Sequence, residues 1–464
     1  MPITVVGLGP GDPGLLTVAA RDLLAGGAPV WLRTRRHPGV EALDLRGPVE
    51  SFDALYEAGE NFEEVYAAIV ERLTALGATE EIVYAVPGNP LFGEATVAAL
   101  LARAREGSGP PVRIVHGVSF LEPVCAALRL DPLAGLQIVD ALAPRLDPAR
   151  PAVVAQVYGR RAASALKLAL LDLYPADHPV QVVRAAGLAD EFMRELPLQA
   201  IDREEGLFDH LACLYVPALA PEANLRTFDG LRAITQRLRS PAGCPWDREQ
   251  THASLKPFLV EESYEVLQAL DDDEPARIAE EFGDLLLQMT LHTEIAEEAG
   301  EFGYGDVFEQ INRKLIRRHP HVFGDAVIET ADEQWQAWQQ IKRAEKGGAE
   351  SILAGVPRAM PALAYAQAVQ ERAARTGFDW PTLDEVLEKL VEELAELRAA
   401  ATHAERLDEF GDVLFVLANV ARWLKLDAEE ALRRSNAKFL RRFSGIEALA
   451  RARAGVEHTR TRRT

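Results

Sequence analysis

The chain has 464 residues, of which 48% are hydrophobic and 26% charged, and its formal net charge is -21. This length and composition are typical of about three globular domains and lack the bias of a disordered protein. The negative charge argues against DNA or RNA as a partner, because nucleic-acid binding draws its affinity from a basic surface. No run approaches the roughly 18 uninterrupted apolar residues of a membrane span, so we expect a cytoplasmic protein with no membrane partner.

Three cysteines, Cys125, Cys213 and Cys244, stand far apart in the sequence. An odd number at these spacings predicts neither a disulfide framework nor a zinc site. We expect reduced thiols in packing positions.

The first predicted element is a strand that leads directly into a glycine-rich loop. Residues 3–6 form a β-rich run, residues 7–14 read Gly-Leu-Gly-Pro-Gly-Asp-Pro-Gly, and residues 15–24 have a helical pattern. A dinucleotide-binding loop needs Gly-x-Gly-x-x-Gly, whereas here the third glycine comes one place early. The loop therefore gives little support to a Rossmann site.

Further strands alternate with helices, and two of these strands end in similar loops. Residues 82–86 lead into Pro-Gly-Asn-Pro, and residues 112–115 are soon followed by Gly-Val-Ser. This alternation predicts a parallel α/β sheet whose loops gather at one edge. Its helices are predicted at residues 62–76, 95–105 and 120–128. A second α/β lobe is predicted from strands at residues 153–157, 180–183 and 210–216 and a helix at residues 162–172.

The loops of this half resemble those of the tetrapyrrole methylases. The resemblance covers about residues 1–220 and rests on Gly-x-Gly-Pro-Gly-Asp-Pro at residues 7–13, Leu-Thr at residues 16–17 and the two loops that follow strands. It implies a two-lobed α/β enzyme that holds S-adenosylmethionine between its lobes and methylates an unknown acceptor. The residues that it implies for the methyl donor are Gly88, Asn89, Phe92, Val118 and Ser119.

Two features of these loops leave alternatives open. Glycine and proline are also what any strand-to-helix turn needs, since glycine permits positive φ and proline fixes φ. Asn89 stands where many methylases have an acidic residue. This departure argues against methyl transfer more than it argues against donor binding.

Two interruptions divide the chain into three predicted domains. Prolines and alanines break the pattern at residues 216–224, and the sequence that follows is nearly all helical. A second break is Lys-Gly-Gly-Ala at residues 346–349. We therefore predict a two-lobed α/β domain at residues 1–220 and two all-α domains at residues 225–346 and 350–450.

Four carboxylates stand on two predicted helices near the C-terminus. Glu393 and Glu396 are neighbours on the first helix, and Glu409 and Asp412 are neighbours on the second. The helices are predicted to form an antiparallel pair, so the four carboxylates can converge. Converging anions repel one another and lose solvation, so the site needs a cation, and oxygen ligands suit Mg²⁺ or Mn²⁺.

The same pattern occurs earlier in the chain, which distinguishes it from an ordinary solvated glutamate-rich face. Glu262, Glu265, Glu281 and Asp284 have matching spacings, with a slightly longer connection. An Asn-x-Lys-x-x-Arg-Arg run follows each set, and a pair of Trp and Asp precedes each. The runs lie at residues 312–318 and 436–442, and the pairs lie at residues 246–247 and 379–380.

Residues 225–443 resemble the MazG family of nucleoside triphosphate pyrophosphohydrolases. Besides the carboxylates, the resemblance rests on Gly-Cys-Pro-Trp-Asp at residues 243–247, Arg-His-Pro-His-Val-Phe-Gly at residues 318–324 and Gly-Phe-Asp-Trp at residues 377–380. It implies hydrolysis of a nucleoside triphosphate (NTP) to the monophosphate (NMP) and pyrophosphate, a homodimer, and a second repeat that carries most of the activity. As a whole, the chain resembles the bacterial fusion proteins of the YabN type.

This resemblance gives each residue of the two repeats an expected role. The expected metal ligands are Glu393, Glu396, Glu409 and Asp412 in the second repeat and Glu262, Glu265, Glu281 and Asp284 in the first. Glu392 is expected to orient the attacking water, and Trp380 either stacks on a base or fills the core. Contacts to the outer phosphates and their geometry are assigned to Asn436, Lys438, Arg441 and Arg442. The matching positions of the first repeat are Trp246, Asn312, Lys314 and Arg317.

Three functions stay open at this point. The leading one is a metal-dependent NTP pyrophosphohydrolase with an attached methylase-like domain. The second is an active methyltransferase, with the helical part as an auxiliary or regulatory module. The third, a scaffold without catalysis, is disfavoured by the intact carboxylate sets in both repeats.

Overall fold

The computed structural model describes residues 2–59, 61–328, 330, 333–334, 337–338, 341 and 351–460, with residues 452–460 described by their backbone alone. Contacts between residues divide the chain into two compact units, Met1–Asp306 and Val307–Thr464. The predicted linker at residues 346–349 lies outside the described residues. Within the described part, no helix has both the length and the apolar character needed to cross a bilayer.

The first unit begins with a five-stranded sheet. Its strands are β1 (Ile3–Gly7), β2 (Val30–Leu32), β3 (Val49–Ser51), β4 (Ile82–Val86) and β5 (Val112–Val115). They lie in the order β3-β2-β4-β1-β5, and every neighbouring pair is parallel. All residues of β1 and β4 are buried, as expected for central strands of a parallel sheet that is covered on both faces. The predicted parallel α/β fold is thus confirmed for this lobe.

The lobe has five described helices; the one at residues 53–58 was not predicted, and three of the other four begin within one residue of the predicted start. The five helices are α1 (Val18–Leu24), α2 (Asp53–Ala58), α3 (Phe62–Thr79), α4 (Ala95–Arg105) and α5 (Leu121–Leu128). The prediction of a helix from residue 15 was wrong at its start. Pro13–Leu15 forms a 3₁₀ turn, and the Thr17 side chain accepts a 3.2 Å hydrogen bond from the Ala20 backbone N–H, which starts α1 at Val18.

A second five-stranded sheet forms the other lobe. Its strands are β6 (Gln137–Asp140), β7 (Ala152–Ala155), β8 (Pro179–Arg184), β9 (Phe192–Pro197) and β10 (Ala212–Val216), with the helix α6 (Arg160–Leu171) after β7. The order is β6-β7-β10-β8-β9, and only β6 and β7 pair in parallel. Leu166 and Leu170 of α6 are fully buried in the core of this lobe. The lobe is α/β as predicted, but its sheet is mixed.

A short connection leads from β10 into the helical part of the first unit. The Thr227 hydroxyl caps α7 (Phe228–Arg239) by accepting a 3.0 Å hydrogen bond from the Gly230 N–H, and it lies 2.9 Å from the Asn224 side-chain oxygen. A Cβ atom at Gly230 would lie 1.7 Å from the Asn224 carbonyl oxygen. Glycine at this position therefore lets the helix pack against the connection.

The rest of the first unit is helical. It contains α8 (Pro245–Glu249), α9 (His252–Asp272) and α10 (Pro275–Glu298). α9 and α10 pack against each other along their length and are joined by a very short turn, so they form a helical hairpin. Thr251 and Ser254 form a capping box that starts α9 at His252.

The second unit repeats this hairpin. Its helices are α11 (Tyr304–Arg318), which crosses the division between the units, α12 (Pro320–Phe323), α13 (Ala362–Ala374), α14 (Leu383–Ala399), α15 (His403–Trp423) and α16 (Ala428–Arg460). α14 and α15 form the hairpin, and their first turns are capped by Thr382 and Thr402. α13 and α16 both contact α15. The all-α prediction is confirmed for the described part of this half.

All three cysteines carry free thiols, and their exposure differs. Cys125 and Cys213 are buried, whereas Cys244 at the start of α8 is partly exposed. Burial raises the pKa of the Cys125 thiol, and it raises the pKa of Cys213 to about 12. The two buried thiols are therefore protonated at neutral pH.

Candidate functional site

Three glycine-containing loops meet at one edge of the first sheet. Gly9 and Gly88 exchange backbone hydrogen bonds of 3.2 and 2.8 Å. The Asn89 side chain donates a 2.8 Å hydrogen bond to the Gly117 carbonyl. A Cβ atom at Gly7 would lie 2.4 Å from the Gly88 carbonyl oxygen and 2.7 Å from the Gly117 nitrogen. Glycine at position 7 is therefore what allows the loops to approach one another.

A cavity of about 650 Å³ lies beside these loops and is lined by residues of both lobes. Four of the predicted donor residues line it, namely Gly88, Asn89, Phe92 and Ser119. Val118 is not among the described residues of the lining. Small-molecule sites usually measure about 300–1,000 Å³. The cavity therefore fits a cofactor of the size of S-adenosylmethionine.

The loops that border this cavity are held by side chains. The buried Ser119 hydroxyl donates to Glu122 and accepts a 3.0 Å hydrogen bond from the Leu121 N–H. On the first loop, the Nε2 atom of buried His37 lies 2.9 Å from the Gly9 carbonyl oxygen. Burial lowers the pKa of His37, so this ring is neutral at pH 7 and donates to the carbonyl. The His37 contact was not predicted from the sequence.

The first helical hairpin gathers three carboxylates. Glu262 and Glu265 of α9 and Glu281 of α10 each place a carboxylate oxygen within 4.8 Å of the others. Glu281 is buried, and the Arg277 Nε donates to it at 3.3 Å. Burial raises the pKa of Glu262, with further increases from the charges of Asp284 and Glu265. The predicted ligand Asp284 is not among the three carboxylates that converge within 4.8 Å, although its charge contributes to the raised pKa of Glu262.

The second hairpin gathers three carboxylates in the same arrangement. Glu393 and Glu396 of α14 and Glu409 of α15 have oxygens within 4.8 Å of one another. Glu393 is 5% exposed, and its Oε2 has no hydrogen-bond partner among the described residues. Its Oε1 lies 2.8 Å from the Lys389 Nζ. Burial raises the pKa of Glu409, with further increases from Glu396, Glu393 and Asp412.

Both carboxylate groups have the chemistry of a divalent-cation site. All of the donors are oxygens, which suits Mg²⁺ and Mn²⁺ better than softer metals. The unpartnered buried oxygen of Glu393 is costly unless something binds it. The raised pKa values of Glu262 and Glu409 reflect burial and mutual repulsion, which a bound cation would relieve.

The other residues singled out in the sequence lie outside these groups. Glu392 is exposed on α14 and lies 2.7 Å from the Lys389 Nζ. Trp246 and Trp380 are 54% and 39% exposed, so neither fills a core in the folded chain. Exposed residues of α11 are Asn312, Lys314 and Arg317, and exposed residues of α16 are Asn436, Lys438, Arg441 and Arg442. Among the described residues, no hydrogen bond or ion pair joins these four α16 side chains to the carboxylate group.

Two positively charged side chains beside the carboxylate groups were not predicted. Arg277 stands four residues before Glu281 on α10, and Lys389 stands four residues before Glu393 on α14. The (i, i+4) spacing of opposite charges is the signal that reveals such pairs in a sequence. In the first repeat the cation is on the second helix of the hairpin, and in the second repeat it is on the first helix.

The pairing of Asp379 was also not predicted. Arg422 at the end of α15 donates two hydrogen bonds to its carboxylate, one of them from Nη1 to Oδ2 at 3.0 Å. The Trp380 N–H donates to the same carboxylate at 2.9 Å. Asp379 therefore ties the segment that carries Trp380 to the hairpin.

Two family models match the chain. The model of the tetrapyrrole (corrin/porphyrin) methylases matches residues 2–202. The model of the MazG nucleotide pyrophosphohydrolase domain matches residues 250–323, which contain the first carboxylate set.

Relatives extend these matches. The protein YabN of Bacillus subtilis is 42% identical over 98% of this chain and 94% of its own length. The nucleoside triphosphate pyrophosphohydrolase/pyrophosphatase MazG of Thermotoga maritima is 46% identical over 48% of this chain and 86% of its own length. A nucleoside triphosphate pyrophosphohydrolase of Escherichia coli K12 is 43% identical over 51% of this chain and 92% of its own length. The crystal structure of uroporphyrin-III-C-methyltransferase from Thermus thermophilus is 25% identical, with a TM-score of 0.36, and covers 47% of this chain and 94% of that chain.

The chain thus joins a tetrapyrrole methylase domain to a MazG nucleotide pyrophosphohydrolase domain. It belongs to the family of YabN, because it aligns with that protein over nearly the whole of both chains. The resemblance indicated by the loop and carboxylate motifs is therefore confirmed.

Proposed function

We propose that the helical half is a metal-dependent pyrophosphohydrolase that converts an NTP to NMP and pyrophosphate. The observation that carries this proposal is the repeated convergence of three carboxylates, from two helices in each hairpin, to within 4.8 Å. Relatives named as nucleoside triphosphate pyrophosphohydrolases align with this half at 43–46% identity. A surface without a function has no reason to assemble the same costly group twice.

The carboxylates would hold Mg²⁺ or Mn²⁺ in each repeat. The ligands are Glu393, Glu396, Glu409 and Asp412 in the second repeat and Glu262, Glu265, Glu281 and Asp284 in the first. When bound, the cation supplies neutralisation of the phosphate charge. The buried position of Glu393 and of Glu281 fixes one ligand of each set, because a side chain held by packing loses little further entropy on binding.

The remaining residues of the second repeat complete the reaction. Glu392 orients the attacking water and accepts its proton. The water oxygen bonds to one phosphorus of the α–β anhydride, the bond from that phosphorus to the bridging oxygen breaks, and the bridging oxygen leaves with the other product, which gives NMP and pyrophosphate. Exposed Trp380 stacks on the base. The cationic and amide side chains of α16 hold the phosphates, and these are Asn436, Lys438, Arg441 and Arg442. The corresponding set of the first repeat is Trp246, Asn312, Lys314 and Arg317.

The test is a panel of NTPs with the purified chain and Mg²⁺, with products identified by mass spectrometry. NMP and pyrophosphate are expected, with activity lost in chelator and restored by Mg²⁺ or Mn²⁺. A variant with Glu262→Gln and Glu393→Gln together is the inactive control. NDP and orthophosphate as the main products would contradict the proposal, because they would place cleavage at the γ-phosphate.

A second function is favoured by the inter-lobe cavity, namely binding of S-adenosylmethionine for transfer of its methyl group. The candidate contacts that line the cavity are Gly88, Asn89, Phe92 and Ser119. Val118, which precedes Ser119 in its loop, is a further candidate. Equilibrium dialysis with labelled S-adenosylmethionine tests donor binding separately from hydrolysis. Retained donor together with no hydrolysis of any NTP would favour the alternative, an active methyltransferase with an auxiliary helical module.

Three further features belong to this proposal. The domains are residues 1–220, 225–346 and 350–450.

The chain forms a homodimer through its helical half. Four apolar side chains of α16 are at least 50% exposed, namely Phe439, Leu440, Phe443 and Ile446. The enzyme acts in the cytoplasm, where NTPs are made.

A further inference from the structure

Four aromatic side chains group together in the lining of the inter-lobe cavity. They are Tyr56 of α2, Phe62 and Tyr66 of α3, and Tyr158 in the segment between β7 and α6. The rings of Phe62 and Tyr66 stack with centroids 5.9 Å apart, and Phe62 lies 5.9 Å from Tyr158 and 6.5 Å from Tyr56. Phe62 is 51% exposed and Tyr158 is 38% exposed. Phe62 and Tyr158 therefore expose a large part of their surface, whereas Tyr56 and Tyr66 are partly buried against the core of the first lobe.

The aromatic group is separate from the residues proposed to hold the methyl donor. A second cavity of about 570 Å³ shares Phe62, Tyr66 and Tyr158 with the first. Residues 88–89 and Ser119 are not among the described residues that line this second cavity. Pro90, Leu91 and Gly93, from the segment that carries Asn89 and Phe92, also line the second cavity. Phe62, Tyr66 and Tyr158 thus form a wall common to both cavities, and a second ligand has room beside the donor residues.

Arg33 lies among these rings, and each nitrogen of its guanidinium has a partner. Nε donates to the Tyr56 hydroxyl at 2.9 Å, Nη1 pairs with Glu94, and Nη2 donates to the Tyr66 hydroxyl at 3.2 Å. The side chains of Arg33 and Glu94 are 13% and 7% exposed. A ligand carboxylate that paired with Arg33 would have to displace the buried Glu94 and leave it unpaired, which is strongly unfavourable.

The other charges of the lining also oppose an anionic ligand. The arginines among the described lining residues are Arg33 and Arg36, and the carboxylates are Asp53, Glu57, Glu94 and Asp140. Arg36 lies 3.6 Å from Glu57, so both arginines already face an acid. A polycarboxylate would meet excess negative charge at close range.

We propose that this aromatic wall binds an uncharged planar aromatic ring as the methyl acceptor, and not a polycarboxylate tetrapyrrole. The proposal rests on the function proposed above for the donor loops. In the reaction, a nitrogen or oxygen that carries a hydrogen on the acceptor bonds to the methyl carbon of S-adenosylmethionine. The bond from that carbon to the sulfonium sulfur breaks, its electron pair stays on sulfur, and the acceptor releases a proton.

The tyrosines of the wall suit such a ligand. Burial raises the pKa of Tyr56, and it raises the pKa of Tyr158 to about 12, so both hydroxyls are neutral at pH 7. A neutral hydroxyl can donate to a ring nitrogen or carbonyl oxygen. Stacking on the open rings supplies affinity for any planar ring, and the hydroxyls supply orientation.

The test is calorimetry on the full chain, in chelator and saturated with S-adenosylhomocysteine. Hypoxanthine, indole and quinoline serve as uncharged rings, and uroporphyrin III serves as the polycarboxylate. We expect at least one ring to bind and uroporphyrin III to bind at least about tenfold more weakly. Phe62→Ala should weaken ring binding about tenfold and leave the affinity for S-adenosylhomocysteine within about twofold. Phe302→Ala is the control, because Phe302 is 40% exposed and is not among the described residues of the cavity lining. This variant should change neither affinity.

The outcomes separate the two proposals. Absence of S-adenosylhomocysteine binding would remove the donor site and the acceptor site with it. If S-adenosylhomocysteine binds, the acceptor proposal alone is overturned by any of three results: none of the rings binds, uroporphyrin III binds as tightly as a ring, or Phe62→Ala has no effect. Retained S-adenosylhomocysteine affinity in Phe62→Ala also shows that the variant is folded.

Discussion

The ammonium of Lys389 lies one helical turn before Glu393 and 2.8 Å from its carboxylate. Hydrogen bonds to Glu392 and then to Glu393 raise the pKa of Lys389, so this cation is charged at every physiological pH. The fixed positive charge of Lys389 beside the Glu393 carboxylate would repel a metal cation at that carboxylate. If the second carboxylate group binds a metal as proposed, this side chain would weaken that binding.

Lys389→Met should strengthen Mg²⁺ binding by about threefold at low ionic strength, because it removes this repulsion, and the gain should shrink in high salt. Calorimetric titration with Mg²⁺ measures it. Arg398→Met is the matched control, since it removes a positive charge from an exposed position further along the same helix. Weaker binding in Lys389→Met would show instead that the lysine orients Glu393.

The two repeats should contribute unequally to hydrolysis. Glu409→Gln keeps the shape of the side chain but removes one ligand charge, and it should lower turnover by about two orders of magnitude or more. Glu281→Gln should cost much less. Turnover of both variants is measured at saturating Mg²⁺, with folding checked by circular dichroism. Equal losses would mean two working sites, and a larger loss for Glu281→Gln would reverse the assignment.

The pair of Asp379 and Arg422 should stabilise the second unit in a pH-dependent way. The hydrogen bonds from Arg422 lower the pKa of Asp379 despite its partial burial. The stabilisation is fully present above the unfolded-state pKa of about 3.9 and is lost as pH falls through the lowered value. Asp379→Asn should therefore reduce the free energy of unfolding by about 1–2 kcal/mol at neutral pH.

Urea unfolding at several pH values, followed by circular dichroism, checks this expectation. The difference between Asp379→Asn and the parent chain should vanish at the acid end of the series. Glu388→Gln, at an exposed position of α14, is the control for loss of a charge alone. A difference that is constant with pH would mean that the side chain acts through packing and not through its charge.

The exposed face of α16 should be a dimer contact. Phe439 and Phe443 are 67% and 50% exposed, and their rings stack with centroids 6.0 Å apart. Phe439→Glu with Phe443→Glu should shift the chain to a monomer in sedimentation velocity, because charges cannot be buried in an apolar contact. Ala437→Glu places a single glutamate on another side of the helix and should leave the dimer intact. A parent chain that sediments as a monomer would exclude the contact.

Regular elements with continuous apolar runs were predictable from the sequence. β4, β5 and α4 have the bounds that the pattern indicated. The buried run of β4 and the amphipathic face of α4 leave strong signals, and β5 is a short β-rich run with one exposed residue, Arg113. β2, β3, β6 and β9 were not predicted. Val49–Ser51 has only three residues, and Phe192–Pro197 contains Arg194 and Glu195, so their strand conformation depends on pairing with β2 and β8. The mixed direction of the second sheet likewise comes from long-range pairing.

In the candidate sites, features with short sequence spacings were likewise predictable, and contacts between distant residues were not. The two carboxylate sets were visible because they recur at fixed short spacings, and the pairing of Lys389 with Glu393 carries an equally local signal. Arg33 and Glu94 are 61 residues apart and meet only when α3 and β4 are folded between them. A local sequence pattern therefore could not reveal the aromatic wall that they border.

The unequal exposure of the three thiols has a practical consequence. Maleimides react with thiolates that solvent can reach, which disfavours the buried, protonated Cys125 and Cys213 and favours Cys244. The native chain thus offers one chemical handle at the start of its helical part. A spin label at Cys244 would give a single intermolecular distance if two copies associate and no dipolar signal if they do not, without any engineered cysteine.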